Sequence, residues 1–432
     1  VKRFFLIFLL VVIFGGLGAG IVIYGERSVP TLTVTPDTEF ASLATEFTIS
    51  VQDQGRGLKD VQVLLVKDNS TQSIFTRTFD PATYTWTGTF TLGDDLGREG
   101  PFELMVTCSD RSLNHWGKGN TALVQRSMTF DATPPRVTID SLHHNVRRGG
   151  TGVIRYGLSE PVRRTGVAVG EDFFPGYKTP KGDYLCFFAF PFNAVPGQDI
   201  PTLIAEDKAG NELQTGFRNH IIRKRFRKDI IRLPQSFLDA KMPQFRNLYP
   251  GETDNLEIFL KVNNEVRTRN RAALKTIGTK TTPEVLWNGP FIRLPRAASR
   301  ARFADARDYL YKGKKVDHQT HLGQDLASTA KAEVPAGNTG KVVFADFMGI
   351  YGNVIILDHG FGLQSLYAHL SSMNVSEGDR VEKGEIIGRT GATGMAGGDH
   401  LHFGMVVSGI PVDPLEWWDA HWIKDNVADR IR

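Results

Sequence analysis

Apolar and polar residues alternate in short runs through much of the first 220 residues, and this period of two restricts the fold more than any other feature of the chain. Runs such as Glu46-Phe-Thr-Ile-Ser-Val51, Val61-Gln-Val-Leu-Leu-Val66 and Tyr84-Thr-Trp-Thr-Gly-Thr-Phe90 are separated by turn clusters like Asp53-Gln-Gly-Arg-Gly57. Successive side chains of a strand point to opposite faces, so each run offers one apolar face. Many such runs at turn-length spacing predict a β-sandwich. The pattern restarts after Asp131-Ala-Thr-Pro-Pro135 with Val137-Thr-Ile-Asp140. A second strand-rich segment closes on Ala205-Glu-Asp-Lys-Ala-Gly-Asn211, whose polar turn echoes the one between Ser109 and Asn120. Two tandem copies of one architecture are therefore expected. With 432 residues the chain is also too long for a single core.

The Asp-x-Thr-Pro-Pro junction and the Glu-Asp-x-Ala-Gly-Asn turn resemble bacterial immunoglobulin-like envelope domains. That resemblance implies sandwiches over 29–133 and 134–222, serving as spacers or as surfaces for envelope protein partners. Cys108 and Cys186 fall in apolar runs of different segments, which predicts two buried, reduced thiols. The net charge of +4 is too even for nucleic acid, so no nucleic-acid partner is expected.

Lys2 and Arg3 precede Phe4–Tyr24, 21 apolar residues without a charge. A helix of that length is roughly 31 Å, enough to cross the hydrocarbon core of a bilayer. The stretch exceeds an ordinary signal-peptide core and carries no clean cleavage site, so an uncleaved signal anchor over residues 1–28 is expected. Basic residues ahead of the span put the following domains on the periplasmic or extracytoplasmic side of the inner membrane. Residues 223–285 have another character. A basic cluster (Arg223, Lys224, Arg225, Arg227, Lys228 and Arg232) reads as a solvated strand face. Pro234 and Pro250 bracket a short helix, and Leu256, Phe259, Leu260 and Val266 recur near helical spacing through Asn255–Leu274. This is a helical connector, placed where it could dock over a neighbouring site and regulate it.

Six of the 11 histidines lie between His318 and His402. Histidine is the commonest zinc ligand, so the clustering invites a metal reading. His321-Leu-Gly-Gln-Asp325 sets an imidazole four residues from a carboxylate, and His400-Leu-His402 sets two imidazoles two apart. On a strand the latter pair shares one face, with Leu401 and Phe403 on the buried other; a helix would splay the pair by about 200°. Each pair alone is a weak signal. His318 reads as a loop bystander, and His359 as closing a strand–turn junction. The glycines of Gly388–Gly398 lack the Lys-Ser/Thr of a phosphate loop and predict a turn-rich loop beside a cleft. His115, His143, His144, His220 and His421 belong to no motif, and Trp417 and Trp418 read as packing at the domain's end.

Surrounding text strengthens the metal reading. Gly340-Lys-Val-Val-Phe-Ala345, Tyr351-Gly-Asn-Val-Ile-Ile-Leu-Asp-His-Gly360, Leu366-Tyr-Ala-His-Leu370, Gly378-Asp-Arg-Val-Glu-Lys-Gly384, Gly388-Arg-Thr-Gly-Ala-Thr-Gly394, His400-Leu-His-Phe-Gly404 and Pro411-Val-Asp-Pro-Leu-Glu-Trp417 stand in one order. Together they resemble the lysostaphin-type (LytM) metallopeptidase family over about 287–418. The resemblance implies an antiparallel-sheet peptidase domain, within 286–432, with a groove for an extended peptide. It implies Zn2+ held by His321, Asp325 and His402, with His369 and His400 as catalytic residues: His400 the expected base, His369 the oxyanion or proton partner, the two roles being interchangeable on sequence alone. The implied activity is a zinc endopeptidase on peptidoglycan cross-links or stem peptides, in which a metal-activated water attacks the scissile carbonyl. The competing readings are a non-catalytic regulator that activates another wall hydrolase, and a scaffold built on the sandwiches. The fold class expected for the whole is mainly β.

Overall fold

A computed structural model describes residues 8–9, 11–13, 28–93, 97–141 and 143–431. The expected anchor Phe4–Tyr24 lies outside these apart from residues 8–9 and 11–13; among the described residues no helix is long and apolar enough to cross a membrane. The chain is mainly β and divides into two compact units. One holds the described residues up to Pro135 with the short stretches Pro161–Arg163 and Glu206–Glu212; the other holds the remaining described residues.

In the first unit the period-two runs form two sheets. Thr31–Thr35, Glu46–Gln52 and Thr85–Thr91 make one; Phe40–Ala41, Thr121–Phe130, Gly100–Asp110, Leu58–Lys67 and Ser70–Thr78 make the other. Phe47, Ile49, Val61, Val63, Leu104 and Val106 fill the space between them. Cys108 sits in this core as a free thiol, and burial pushes its pKa up to about 12. Cys186, buried in the second unit, is likewise free and held near about 12. Both thiols are inert hydrophobes, as their apolar runs indicate.

The second unit is layered around one antiparallel sheet. Its strands run in the order Ala298–Ala301, Gln324–Ala327, Leu401–Val407, Leu363–Leu370, Asn353–Asp358, Gly340–Phe347, Arg380–Val381, with Ile410–Val412 paired to Leu401–Val407. One face packs against the second strand-rich segment. Phe187 of strand Tyr184–Ala189, Trp417 and the inward Leu401, Phe403, Met405 and Val407 share a single apolar core. The segment therefore does more than hold distance: its interior is continuous with the sheet's own. Polar links reinforce the joint. Glu416 accepts a hydrogen bond from the Thr151 amide, and Lys224 pairs with Asp413.

Helices of the connector cover the opposite face. Gln235–Lys241 is followed by a 3-10 turn; Asp254 caps Asn255–Lys261 by accepting from the Leu256 amide, and that helix runs through a π turn, Val262–Val266, into Arg267–Gly278. Phe259, Val262 and Leu274 pack with Tyr351, Ile356 and Leu366. Lys241 donates to the Ala392 carbonyl and Gln244 to that of Gly394, so the connector is fastened to the glycine-rich loop.

Glu416 tests the joint. Burial lifts its carboxyl to about 8, with Asp413 adding to the shift and the Thr151 amide, Arg147 and Lys224 opposing it. The folded state thus holds this proton more tightly than the unfolded state, and stability is lost as pH rises from about 4.5 towards about 8. Glu416→Gln keeps an acceptor and cannot ionise, so its unfolding midpoint should exceed the parent's at pH 8 and vary less with pH. Identical midpoints for the two proteins across that window would contradict this account.

Candidate metal centre

The register of the sheet places the site. Asp325 lies directly opposite His402 in the antiparallel pairing, and Ala368, beside His369, is the partner of His402 on its other side. Cross-strand partners share a face and hold their Cβ atoms about 5 Å apart. His400 and His402 share the cleft face, while Leu401 and Phe403 are buried on the other, as alternation requires. His321 enters from the turn ahead of Gln324–Ala327. The four-residue spacing His321 to Asp325 reflects that tight turn into a strand rather than a helix.

Three donor atoms converge. His321 Nε2 is 2.9 Å from Asp325 Oδ1 and 3.0 Å from His402 Nδ1, and His402 Nδ1 is 2.9 Å from Asp325 Oδ1. His321 Nδ1 lies 3.0 Å from the Arg302 carbonyl, which can only accept, so this nitrogen carries the proton. The neutral ring then directs the lone pair of Nε2 at a carboxylate oxygen and a second imidazole nitrogen. Lone pairs gathered this closely repel unless a cation, or a proton on one of the rings, sits among them. His402 Nε2 is buried without a hydrogen-bond partner, so the ring's polar business is at Nδ1. Two imidazoles and a carboxylate suit zinc, whose tetrahedral ligands stand about 3.3–3.5 Å apart. The observed edges need to open by only a few tenths of an ångström. The residues fit the metal.

The electrostatics agree with a charged centre. Burial opposes ionisation of Asp325, yet the imidazoles of His321, His400 and His402 around it hold its carboxyl well below the usual range. Burial pushes His402 down to about 4. The second oxygen of Asp325 accepts from Arg307 Nη2 at 3.1 Å.

His369 and His400 complete the wall, with ring centroids 4.9 Å apart. His369 Nδ1 is 2.9 Å from the Thr393 carbonyl, and His400 Nδ1 is 2.9 Å from that of Gly398. Both rings thus carry the proton on Nδ1 and leave Nε2 free; His400 Nε2 is 3.5 Å from Asp325 Oδ1. The glycine-rich loop is therefore a holder for two imidazoles, and it flanks the cleft. His369 has φ 63°, a conformation costly for any residue but glycine and frequent at functional sites. Burial, then the charges of His400 and His402, keep its pKa well below the ordinary value. For His400, burial opposes charging but the neighbouring Asp325 carboxylate prevails, and its pKa is raised.

All five residues singled out in the sequence line one cleft of about 640 Å³. The bystanders stay outside it. His318 is exposed and pairs with Asp308 on a neighbouring strand. His359 is buried between the Thr339 carbonyl and Ser365, closing a strand end. Sequence reasoning missed Arg307, Arg267 and Gly323. No spacing signal marks the arginines. Gly323 stands inside the His-x-x-x-Asp pair, where its position could have drawn notice: a Cβ there would lie 2.5 Å from His402 Nε2.

Residues 319–414 match peptidase family M23. The chain is 40% identical over 95 residues to the DD-carboxypeptidase/endopeptidase Mpg of Neisseria meningitidis serogroup B, covering 22% of each. It is 35% identical over 95 residues, 22% of this chain and 23% of the relative, to the murein hydrolase activator EnvC of Escherichia coli. It thus spans under a quarter of the length of these relatives. Among solved structures, the catalytic domain of lysostaphin from Staphylococcus simulans is 31% identical, with 28% of this chain and 92% of that one covered at a TM-score of 0.24.

Gly323→Ala should push the His402 ring off the other two donors. Zinc affinity of the purified chain, measured by competition with a chromogenic chelator, should fall at least tenfold while the fold persists by circular dichroism. Unchanged affinity would show that the close approach does not position His402.

Proposed function

The C-terminal part of this chain carries a domain of the lysostaphin-type peptidase family M23, and from that premise we propose that the protein is a zinc-dependent endopeptidase cutting peptide bonds in bacterial peptidoglycan. The observation that supports this best is the convergence of His321 Nε2, Asp325 Oδ1 and His402 Nδ1, with two further imidazoles on the same wall. Three protein donors leave one position of a tetrahedral ion for chemistry, whereas a structural zinc is closed by four. Zinc, when bound, would supply Lewis acidity toward the scissile carbonyl and lower the pKa of coordinated water to about 7.

The chain's own part is proton handling and orientation. The Thr393 and Gly398 carbonyls fix the tautomers of His369 and His400, so each neutral ring offers an unprotonated Nε2 to the cleft. Either ring can accept a proton from the attacking water and return it to the leaving amine. An oxyanion-stabilising role asks for a ring already protonated, because neither Nε2 carries hydrogen in the neutral form. Arg307 holds the second oxygen of Asp325 and so fixes which oxygen faces the ligand set.

EnvC bears the name of an activator, which makes regulation of another hydrolase the alternative. Filled metal and imidazole positions favour the enzyme. The proposal also sets the working domain outside the cytoplasm, tethered through Phe4–Tyr24, with peptidoglycan peptides as substrate.

Zinc-loaded protein should release peptide fragments from purified wall, and chelation should abolish this. His369→Gln and His400→Gln should keep one zinc per chain and lose on the order of 10²–10⁴ in rate. Fragment release by a metal-free preparation would overturn the metallopeptidase reading. A zinc-bound parent that releases nothing, but stimulates a second hydrolase, would establish the alternative. In cells, deletion of residues 1–28 should move the protein out of the membrane fraction; unchanged partition would remove the tether.

A further inference from the structure

The cleft is far more cationic than a peptide backbone demands. Arg232, Lys241, Arg267 and Arg307 line it, and the only carboxylate among the lining residues is Asp325. Three of these cations have identifiable duties or positions. Lys241 is tied to the Ala392 carbonyl, Arg307 to Asp325, and Arg232 is exposed at the rim.

Arg267 is different. Its Nε lies 3.2 Å from the Asn263 carbonyl and its Nη2 2.6 Å from Asn263 Oδ1, and the amide nitrogen of that side chain donates to Asp317. These contacts orient the guanidinium without neutralising it. Among the described residues Nη1 has no hydrogen-bond partner and the guanidinium has no ion-pair partner. Burial, opposed by Tyr309 and Tyr351 and supported by Arg271 and Arg307, holds its pKa below the ordinary arginine value. A guanidinium remains charged regardless, so the protein keeps a partly buried, positioned and uncompensated cation beside its reaction site. The π turn Val262–Val266 immediately precedes Arg267 and includes Asn263. Such turns widen a helix locally and are frequent at functional sites.

We infer that Arg267 binds a carboxylate of the substrate peptide, so that the cleft selects peptides carrying a negative charge close to the bond that is cut. This rests on the peptidase reading and deepens it. The connector then becomes part of the substrate site, contributing the charge that the sheet itself lacks. A carboxylate can come from an acidic side chain or from the peptide's own C-terminus; both present the planar pair of oxygens that a guanidinium fork matches.

The full-length, zinc-loaded chain carrying His400→Gln, so that the probe is not consumed, is titrated with acetyl-Ala-Glu-Lys-Ala by calorimetry. Two further probes carry Gln in place of Glu, or a C-terminal amide. Neutralising one of the two carboxylates should weaken binding on the order of 10- to 100-fold. Which arm responds identifies the source. Adding Arg267→Gln should erase that difference and leave zinc content unchanged. Equal affinity for all three probes, or discrimination that survives Arg267→Gln, would overturn the inference. If Arg267→Gln fails to fold, Arg267→Lys replaces it, keeping charge without the fork, and the parent's response to the neutral probes decides. Wall digestion separates the two claims. A parent that digests wall yet ignores probe charge sinks the arginine site alone; one that discriminates charge yet digests nothing sinks the peptidase reading.

Discussion

Three electron-rich atoms packed within 3.0 Å of one another form an arrangement that a cation, or a proton carried by one of the rings, makes favourable. Everything else in the second unit bears on keeping them there. The Arg302 carbonyl commits His321 to one tautomer, the ladder sets Asp325 opposite His402, and Gly323 leaves the space that the His402 ring fills. A metal binds tightly where its donors are ordered in advance, because little conformational entropy is then lost on binding. The rigid sheet supplies that order.

Rigidity has a visible source on both faces. Behind the sheet, the second strand-rich segment contributes Phe187 to a core continuous with Phe403 and Trp417. In front, the connector helices cover the sheet around the cleft and hold the loop that carries the carbonyl acceptors of His369 and His400. The strained φ of His369 persists because its neighbours determine it from several sides. The geometry of the site is thus a property of the whole second unit, not only of the matched residues 319–414.

Much of this was legible in the sequence, for particular reasons. A two-residue spacing has one meaning on a strand, so His400 and His402 could be set on one face with Leu401 and Phe403 behind them. Alternating runs announced the two sheets of the first unit equally well. What stayed hidden depends on contacts between segments distant along the chain. The parallel pairing of Lys228–Arg232 with Ala306–Tyr311, which brings the start of the connector against the strand that bears Arg307, leaves no local pattern. Arg267 carries no signal in the sequence; only the fold shows that, among the described residues, it has no ion-pair partner. The continuous core between the second segment and the sheet was likewise invisible, because burial against another segment and burial within one's own sandwich give the same apolar alternation.

X-ray absorption at the zinc edge of the purified full-length chain examines the central claim most directly. The account predicts one zinc per chain with two imidazole nitrogens and one carboxylate oxygen at about 2.0–2.2 Å, plus one light non-protein ligand. Asp325→Asn should weaken the ion's retention on dialysis. An octahedral shell of water oxygens, or absence of imidazole scattering, would contradict it.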